Sequence, residues 1–399
     1  MTTLRELFDK KEYLAVGLMS GTSMDGVDAA LVRIPAGWGD PGVDLLAFET
    51  QPYPEELRSS LMELAFGEQC TAEDLATLHT AVAVSFSNAF FAVCTKGKVA
   101  PAKVDFIGSH GQTVAHVPPS PGLSLPIAGT LQLGPPGMIA ALSGVTTVGD
   151  FRGGDVALGG QGAPLAPCAD FLLRRSKTEN RVVLNIGGIA NVTYLPKSGG
   201  IDEVIAFDTG PGNMILDELY RVLYPGEGSY DRAGARAASG LASESLVGTF
   251  LEFEFFSRKP PKSAGHHEFG ARFAWEFLAR AQAAGLKGPD ILASASLLTT
   301  RSIGRAVKDF VEPAGAVDKV FVSGGGSRNR TILSHLEGEL APAQVLLIDD
   351  LGIPADAKEA VDFAVLARET ILARPNVIHR ATGASRPLVL GSIAQGGGS

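Results

Sequence analysis

Apolar positions along this chain keep two rhythms. Short apolar runs end abruptly in glycine, serine or aspartate, and longer stretches repeat an apolar residue every three or four positions. The first rhythm reads as buried strands and the second as helices. Residues 13–18 and 27–34 are predicted strands joined by a turn of Ser20, Gly21, Thr22, Ser23, Asp25 and Gly26. Residues 54–65 and 72–96 are predicted helices, the second with Leu75, Leu78, Val82, Phe86 and Phe90 near helical spacing. Residues 104–108 make a short strand that ends at Ser109-His110-Gly111-Gln112-Thr113. Residues 118–136 are loop-rich with an edge strand at 131–133, and a helix over 137–143 stops at Gly144.

The pattern then starts again. A short strand over 145–148 delivers Asp150, and a helix over 163–174 follows Gly159-Gly160. Residues 181–186 and 191–195 form a second hairpin turning at Gly187-Gly188. A strand over 204–207 leads into Asp208-Thr209-Gly210-Pro211-Gly212-Asn213 and a helix over 214–222. Residues 230–310 are mainly helical, interrupted at Lys259-Pro260-Pro261-Lys262. A strand over 319–323 runs into Gly324-Gly325-Gly326-Ser327, followed by a helix over 328–336, a last buried strand over 344–348 and a long helix over 354–373. Alternating strands and helices make the class α/β. Both halves open with strand, glycine turn, strand, which reads as a duplicated domain with a ligand cleft between the copies. The boundary falls near 145–150, giving one domain of 1–148 with about 375–399 and another of 149–374.

At 399 residues two domains are expected, and an apolar share of 45% can build both cores. Glycine is abundant, 48 residues, clustered beside apolar runs as tight turns near a ligand require. A net charge of −9 argues against nucleic acid as a partner. The three cysteines, Cys70, Cys94 and Cys168, lie far apart, without metal spacing or a disulfide framework. The polar start lacks a signal-peptide core, and no uninterrupted apolar run reaches membrane length. Together these read as a cytoplasmic protein with a disordered GGGS end.

Several segments carry chemistry, each beside a plainer alternative. In the first turn, Gly21, Gly26 and the intervening N–H groups can cradle phosphate, Thr22 and Ser23 add hydroxyl donors, and Asp25 can hold hydrated Mg²⁺. The alternative is a simple hairpin. Gly187 and Gly188, with Asn191 and Thr193, can meet phosphates in the same way. Asp208 precedes a helix N-terminus, where it holds Mg²⁺ or caps the helix. Gly324, Gly325 and Gly326 leave room for a flat ring or phosphate, without the lysine of a Walker A loop. Asp150 follows a buried strand and can accept a proton, and Arg152 can bind a carboxylate or phosphate. The alternative is a surface Asp–Arg pair. His110, Gln112 and Thr113, with His116, can bind sugar hydroxyls, although a lone histidine is also a common structural residue. No Gly-x-Ser-x-Gly elbow is present.

As a set, these segments resemble one family: anhydro-N-acetylmuramic acid kinase. The matches are Gly17 through Gly26, Gly108-Ser109-His110-Gly111-Gln112-Thr113, Asp150-Phe151-Arg152 with Gly160-Gln161-Gly162-Ala163-Pro164, and Leu184-Asn185-Ile186-Gly187-Gly188-Ile189-Ala190-Asn191. Asp208 through Asn213, Pro260-Pro261-Lys262-Ser263, Ser323-Gly324-Gly325-Gly326 and Lys358-Glu359-Ala360 continue the series in family order. The resemblance implies two ribonuclease-H-like domains of the sugar-kinase and actin superfamily around a nucleotide cleft. It further implies ATP, Mg²⁺, a homodimer and a 1,6-anhydro sugar from recycled cell wall. By the same match Asp150 is the base that activates water. Gly21, Thr22, Ser23, Met24, Asp25, Gly26, Val27, Asp28, Gly187, Gly188, Asn191, Asp208, Gly210, Gly212, Asn213, Gly324, Gly325, Gly326 and Asn329 would surround ATP, with Asp25 and Asp208 at the metal. His110, Gln112, Thr113, Arg152, Gln161 and Glu359 would meet the sugar.

The chain also departs from the family. Ala264-Gly265-His266-His267 stands where Thr-Gly-Arg-Glu is expected, Pro135-Pro136 follows Leu133-Gly134, and Asn185 replaces a common aspartate. These departures leave open the exact sugar, with 1,6-anhydroglucose or an ordinary free-hydroxyl sugar as alternatives.

Overall fold

A computed structural model describes residues 4–37, 42–65, 67, 70–117 and 127–397. Part of the predicted loop, 118–126, and the chain end, 398–399, lie outside the described residues. The strands among them are β1 (Glu12–Ser20), β2 (Gly26–Pro35), β3 (Asp44–Pro52), β4 (Phe106–Val117), β5 (Gly129–Leu133), β6 (Thr147–Gly149), β7 (Arg181–Ile186), β8 (Ile189–Leu195), β9 (Ile205–Pro211), β10 (Lys319–Ser323), β11 (Gln344–Leu347) and β12 (Ser392–Ala394).

The chain forms two units, residues 1–174 with 356–399 and residues 175–355. In the first, the sheet order is β3-β2-β1-β4-β6, extended by β12 beside β6 and β5 beside β4. In the second it is β9-β8-β7-β10-β11. The two orders are the same. In each, the second strand is antiparallel to its neighbours and the fourth and fifth run parallel to the first. This is the ribonuclease-H-like topology, present twice.

Burial explains the apolar runs. β1 is central and covered on both faces, so nearly every residue from Tyr13 to Ser20 is buried or half-buried. Helix Ala72–Lys96 contributes Val82, Phe86, Phe90 and Val93 to the core of the first unit. Its start is set by a reciprocal cap between Thr71 and Asp74. By length and composition alone this helix could cross a membrane. Its apolar face is instead used by the core. On the other side of the sheet lies helix Lys358–Ile371. Gly17 and Gly108 are register partners on β1 and β4. A Cβ on Gly17 would come within 1.7 Å of the Ala360 carbonyl oxygen, and one on Gly108 within 2.2 Å of that of Phe363. These glycines let the helix lie directly on the sheet.

That seat moves the domain boundary. The sequence pattern places 149–174 and 356–374 in the second domain. In the structure helix Lys358–Ile371 rests on β1 and β4, and helix Ala166–Arg174 packs on it, so both stay with the first unit. Other differences are local. β4 does not end at 108 but runs to Val117, turning onto β5 through a register shift. β9 likewise runs on through Asp208 to Pro211. β11 is a half-exposed edge strand, and β12 follows it, so it is neither buried nor last. β3 and β12 had no counterpart in the sequence reading.

Candidate active site

In the first unit, β1 and β2 are joined by residues 21–25. Thr22, Ser23 and Asp25 are exposed, whereas Met24 and Val27 turn into the core. Ser23 Oγ donates to Asp25 Oδ1 at 3.0 Å. The base of the turn is braced from β4. Ser20 Oγ lies 2.6 Å from both the Gly26 carbonyl oxygen and Gln112 Oε1. Gln112 Nε2 donates to the Gly21 and Thr113 carbonyls at 3.2 and 3.1 Å. Gln112 is fully buried. It therefore positions the turn and is not free to meet a sugar, contrary to the sequence expectation. The Thr113 hydroxyl accepts from Gln132 at 3.2 Å. Asp28 accepts from the Thr50 hydroxyl at 2.6 Å. Burial raises its pKa, and Asp25 and Asp356 add to the rise against that hydrogen bond.

β6 delivers Asp150 to the surface with a left-handed φ of 57°. Aspartate tolerates that conformation better than most residues. A Cβ on Gly153 would stand 3.0 Å from Asp150 Oδ1, so glycine there leaves the carboxylate room. Two residues on, Arg152 donates from Nε and Nη2 to His110 Nε2 at 3.1 and 2.9 Å, and from Nη1 to the Gly162 carbonyl at 2.7 Å. Burial lowers the arginine pKa to about 10, with Glu359 and Asp155 pulling it back up. Burial, with the arginine charge, holds the His110 pKa well below its usual value. Asp155 is fully buried and fixes the next loop. Its Oδ2 accepts from the Gly162 N–H and its Oδ1 from the Thr382 hydroxyl, both at 2.7 Å. The Gln161 N–H donates to the Thr382 carbonyl at 2.8 Å.

Glu359 is exposed in the first turn of its helix. Desolvation raises its pKa; Asp362 and Asp28 reinforce this, while Lys358 and Arg152 oppose it. Its neighbour Lys358 is buried and pairs with Asp170 at 3.0 Å and Asp362 at 2.8 Å. Arg174 joins the same two carboxylates at 2.8 Å each. This buried quartet ties helix Ala166–Arg174 to helix Lys358–Ile371.

In the second unit, Asn185, Asn191 and Asp208 are register neighbours across β7, β8 and β9. The Gly187-Gly188 turn is closed by the segment after β9. Gly212 and Met214 N–H donate to the Gly188 carbonyl at 2.9 and 3.1 Å, and Asn213 N–H to that of Gly187 at 2.7 Å. A Cβ on Gly212 would stand 2.3 Å from the Gly187 oxygen. The helix N-terminus expected to face an anion thus spends these N–H groups on the hairpin. Gly210 has a φ of 150° and abuts Phe256 and Ser302. Gly324, with φ of 77°, presses against Asn185 and Ile186, and Gly326 against Ile186. Gly325 is less confined, with Asn213 Nδ2 the nearest neighbour a Cβ would meet. Asn329 caps helix Arg330–Glu339, its Oδ1 accepting from Thr331 and Ile332 N–H at 3.1 and 3.2 Å.

Asp208 is half-buried, and burial raises its pKa to about 7, with Glu268 adding and Lys262 opposing. Residues 262–264 clasp it: its N–H donates to the Lys262 carbonyl at 3.1 Å, and its Oδ2 accepts from Ala264 N–H at 2.8 Å. The Lys262 ammonium is buried among Phe207, Phe255 and Phe310, 5.6, 4.7 and 4.9 Å from their centroids. It donates to the Phe255 carbonyl at 3.2 Å. Burial lowers its pKa to about 8.

The model of the family described as anhydro-N-acetylmuramic acid kinase matches residues 13–396. This chain belongs to that family. A relative of that name from Caldanaerobacter subterraneus subsp. tengcongensis is 42% identical over 99% of this chain and 100% of its own. Others from Salinibacter ruber and Gloeobacter violaceus are 40% and 43% identical, covering 99% and 96% of this chain and 99% of each relative. Among solved structures, the activator of 2-hydroxyisocaproyl-CoA dehydratase from Clostridium difficile with bound ADPNP aligns over 90% of this chain and 95% of its own, at 13% identity and a TM-score of 0.46.

Within this anhydro-N-acetylmuramic acid kinase family chain, the first unit brings Arg152 onto His110, two residues along the chain from Asp150. Asp25, Thr22 and Ser23 stand open on their turn. The side chains of Met24, Val27 and Gln112 and the Asn329 oxygen are committed to structure. Lys262, Asp155 and Ser20 were not among the expected site residues. Lys262 lies inside a recognised motif, Pro260-Pro261-Lys262-Ser263, but its cage draws Phe207 and Phe310 from segments far from it in the chain, so the motif alone does not show its role.

Proposed function

We propose that this protein uses ATP to phosphorylate 1,6-anhydro-N-acetylmuramic acid at O6 while water opens the anhydro bridge, giving N-acetylmuramic acid 6-phosphate and ADP in cell-wall recycling. The observation that carries this reading is Asp150: an exposed carboxylate, held at a strand end by a left-handed backbone, in a chain of this family. In the anhydro sugar O6 is bonded to C1, so no free 6-hydroxyl exists. Asp150 takes a proton from water, and the water oxygen bonds to C1 as the C1–O6 bond breaks. O6 keeps that electron pair and attacks the γ-phosphorus, whose bond to the ADP oxygen breaks. Attack opposite the departing O6 inverts C1.

Gly21, Thr22, Ser23, Gly26, Gly187, Gly188 and Gly324–Gly326 are the backbone and hydroxyl groups we assign to ATP. The described residues contain no group of three or more His, Cys, Asp or Glu able to cage a metal. Mg²⁺ is commonly held by one or two carboxylates, water and substrate phosphates, so it needs no such cage. Asp208 and Asp25 are the residues assigned to it, and a bound ion would offset phosphate charge. Gln161 and Glu359 complete the sugar assignment, and a homodimer in the cytoplasm is part of the same reading.

The test is ADP release with ATP, Mg²⁺ and 1,6-anhydro-N-acetylmuramic acid, beside 1,6-anhydroglucose and free N-acetylmuramic acid. Turnover of the first sugar alone, lowered roughly 10²–10⁴-fold in Asp150→Asn, is the expected result. Turnover of only the free sugar would make this an ordinary kinase and overturn the bridge-opening step.

A further inference from the structure

We propose that Arg152, locked in place by His110, reads the carboxylate of the sugar and so selects a carboxylated anhydro sugar over an uncharged one. This deepens the kinase reading above and rests on it. A guanidinium has donors only. Two of them, on Nε and Nη2, converge on His110 Nε2 at 3.1 and 2.9 Å. That nitrogen must therefore offer its lone pair, and the neutral ring carries its proton on Nδ1. Burial together with the arginine charge favours this same neutral form.

The ring itself cannot turn away. His110 is 4% exposed, lies within β4, and has its centroid 4.7 Å from that of Phe363. The third contact, from Nη1 to the Gly162 carbonyl, is equally fixed, because Asp155 holds Gly162 by its N–H. Three of the five arginine N–H groups are thereby used. One on Nη1 and one on Nη2 have no partner among the described residues. Two donors on adjacent nitrogens match the two oxygens of a carboxylate.

Charge points the same way. Asp155 and Glu359 favour the arginine cation, yet neither forms an ion pair with it. A half-buried cation without a direct counter-ion carries a desolvation cost, and a bound carboxylate would supply that counter-ion. The nearby cation Lys358 is already paired with Asp170 and Asp362. Arg152 also stands two residues from Asp150, so binding energy from the carboxylate would act beside the proposed base. The lactyl group of N-acetylmuramic acid carries such a carboxylate. The same anhydro sugar without that group, 1,6-anhydro-N-acetylglucosamine, does not.

The test compares these two sugars with the full-length enzyme, as kcat/KM and as Kd by calorimetry. Arg152→Met is expected to lower the preference for the acidic sugar about 10- to 100-fold, mainly through KM. Arg152→Lys keeps the charge but loses the fork, and is expected to recover only part of the preference. His110→Leu removes the acceptor and shifts the preference in the same direction. His110→Gln places an amide oxygen near the position of Nε2 and restores most of it. Equal losses for both sugars in Arg152→Met would overturn the carboxylate assignment. Failure of His110→Gln to exceed His110→Leu, with both folded by circular dichroism, would overturn the positioning role. If the wild type turns over neither sugar, the kinase reading fails, and the Kd ratio of wild type to Arg152→Met still decides whether Arg152 reads the carboxylate.

Discussion

The two glycine hairpins occupy the same place in two copies of one topology, yet they are built differently. The first has five residues between strands, 21–25, and leaves Thr22, Ser23 and Asp25 in solvent. Its support comes from below, through Ser20 and Gln112. The second has only Gly187 and Gly188, whose carbonyls accept N–H groups from Gly212, Asn213 and Met214. The first hairpin therefore leaves two hydroxyls and a carboxylate open, and the second commits its two carbonyl oxygens to a helix start. Glycine serves a different need in each: an open backbone in one, and close approach of two segments in the other. Equal position in a duplicated fold does not mean equal chemistry.

The largest effect is expected from Gly212→Ala. Its Cβ would fall 2.3 Å from the Gly187 oxygen, a backbone atom that cannot rotate aside. The latch must open, leaving the helix N–H groups and the turn carbonyls to find water. We expect a loss of about 3 kcal/mol or more, several degrees in Tm, with the second unit unfolding first. Thermal unfolding followed by proteolysis of the two units checks this. A variant as stable as wild type would mean that the second turn is as open as the first.

A smaller effect is expected at the clasp on Asp208. Lys262→Met keeps the unbranched stem of the side chain, one atom shorter, and removes its charge. Because the lysine pKa is about 8 when folded against a usual 10.5, the folded chain bears a cost below pH 8 that is relieved as pH rises toward 10.5. Wild type should therefore gain on the variant across that window, by about 3 kcal/mol in all. A stability difference that stays flat from pH 7 to 10.5 would show that the ammonium is not held as a buried cation. The clasp has no equivalent assigned at Thr50, which occupies the corresponding strand position in the first unit and donates to Asp28.

Much of this was legible along the chain. Both hairpins, helix Ala72–Lys96 and the strand before Asp150 follow from local periodicity and turn residues, because their determinants lie within a few positions of each other. The domain boundary did not follow. It depends on Gly17 and Gly108 meeting a helix some 250–340 residues later in the chain. The ends of β4 and β9 were also hidden, since the polar motifs starting at Ser109 and Asp208 read as the strand ends, whereas pairing with β5 and β8 carries the strands past them. The roles of Gln112 and Lys262 were beyond reach for the same reason. A glutamine inside a polar motif looks like a ligand donor until its partners, Ser20 and Gly21, are seen to use both its oxygen and its nitrogen.

The smallest effect is expected at the first hairpin. Thr22 and Ser23 are exposed, and among the described residues neither contributes a contact that braces the hairpin; Ser23 donates to Asp25, also exposed. Replacing both by alanine should leave Tm within about 1 °C, since surface changes away from caps and cores cost little. If the turn holds phosphate, each lost hydroxyl removes a hydrogen bond to a charged group, worth about 1.5–3 kcal/mol. The KM for ATP should then rise at least tenfold, while the calorimetric Kd for the anhydro sugar stays close to wild type. A double variant that loses stability but keeps its ATP KM would reverse the contrast, making the first hairpin the structural one. A variant that keeps both would leave the backbone N–H groups of Gly21 and Gly26 as the donors that matter, and Gly21→Pro, which removes one N–H from an otherwise open position, would decide between them.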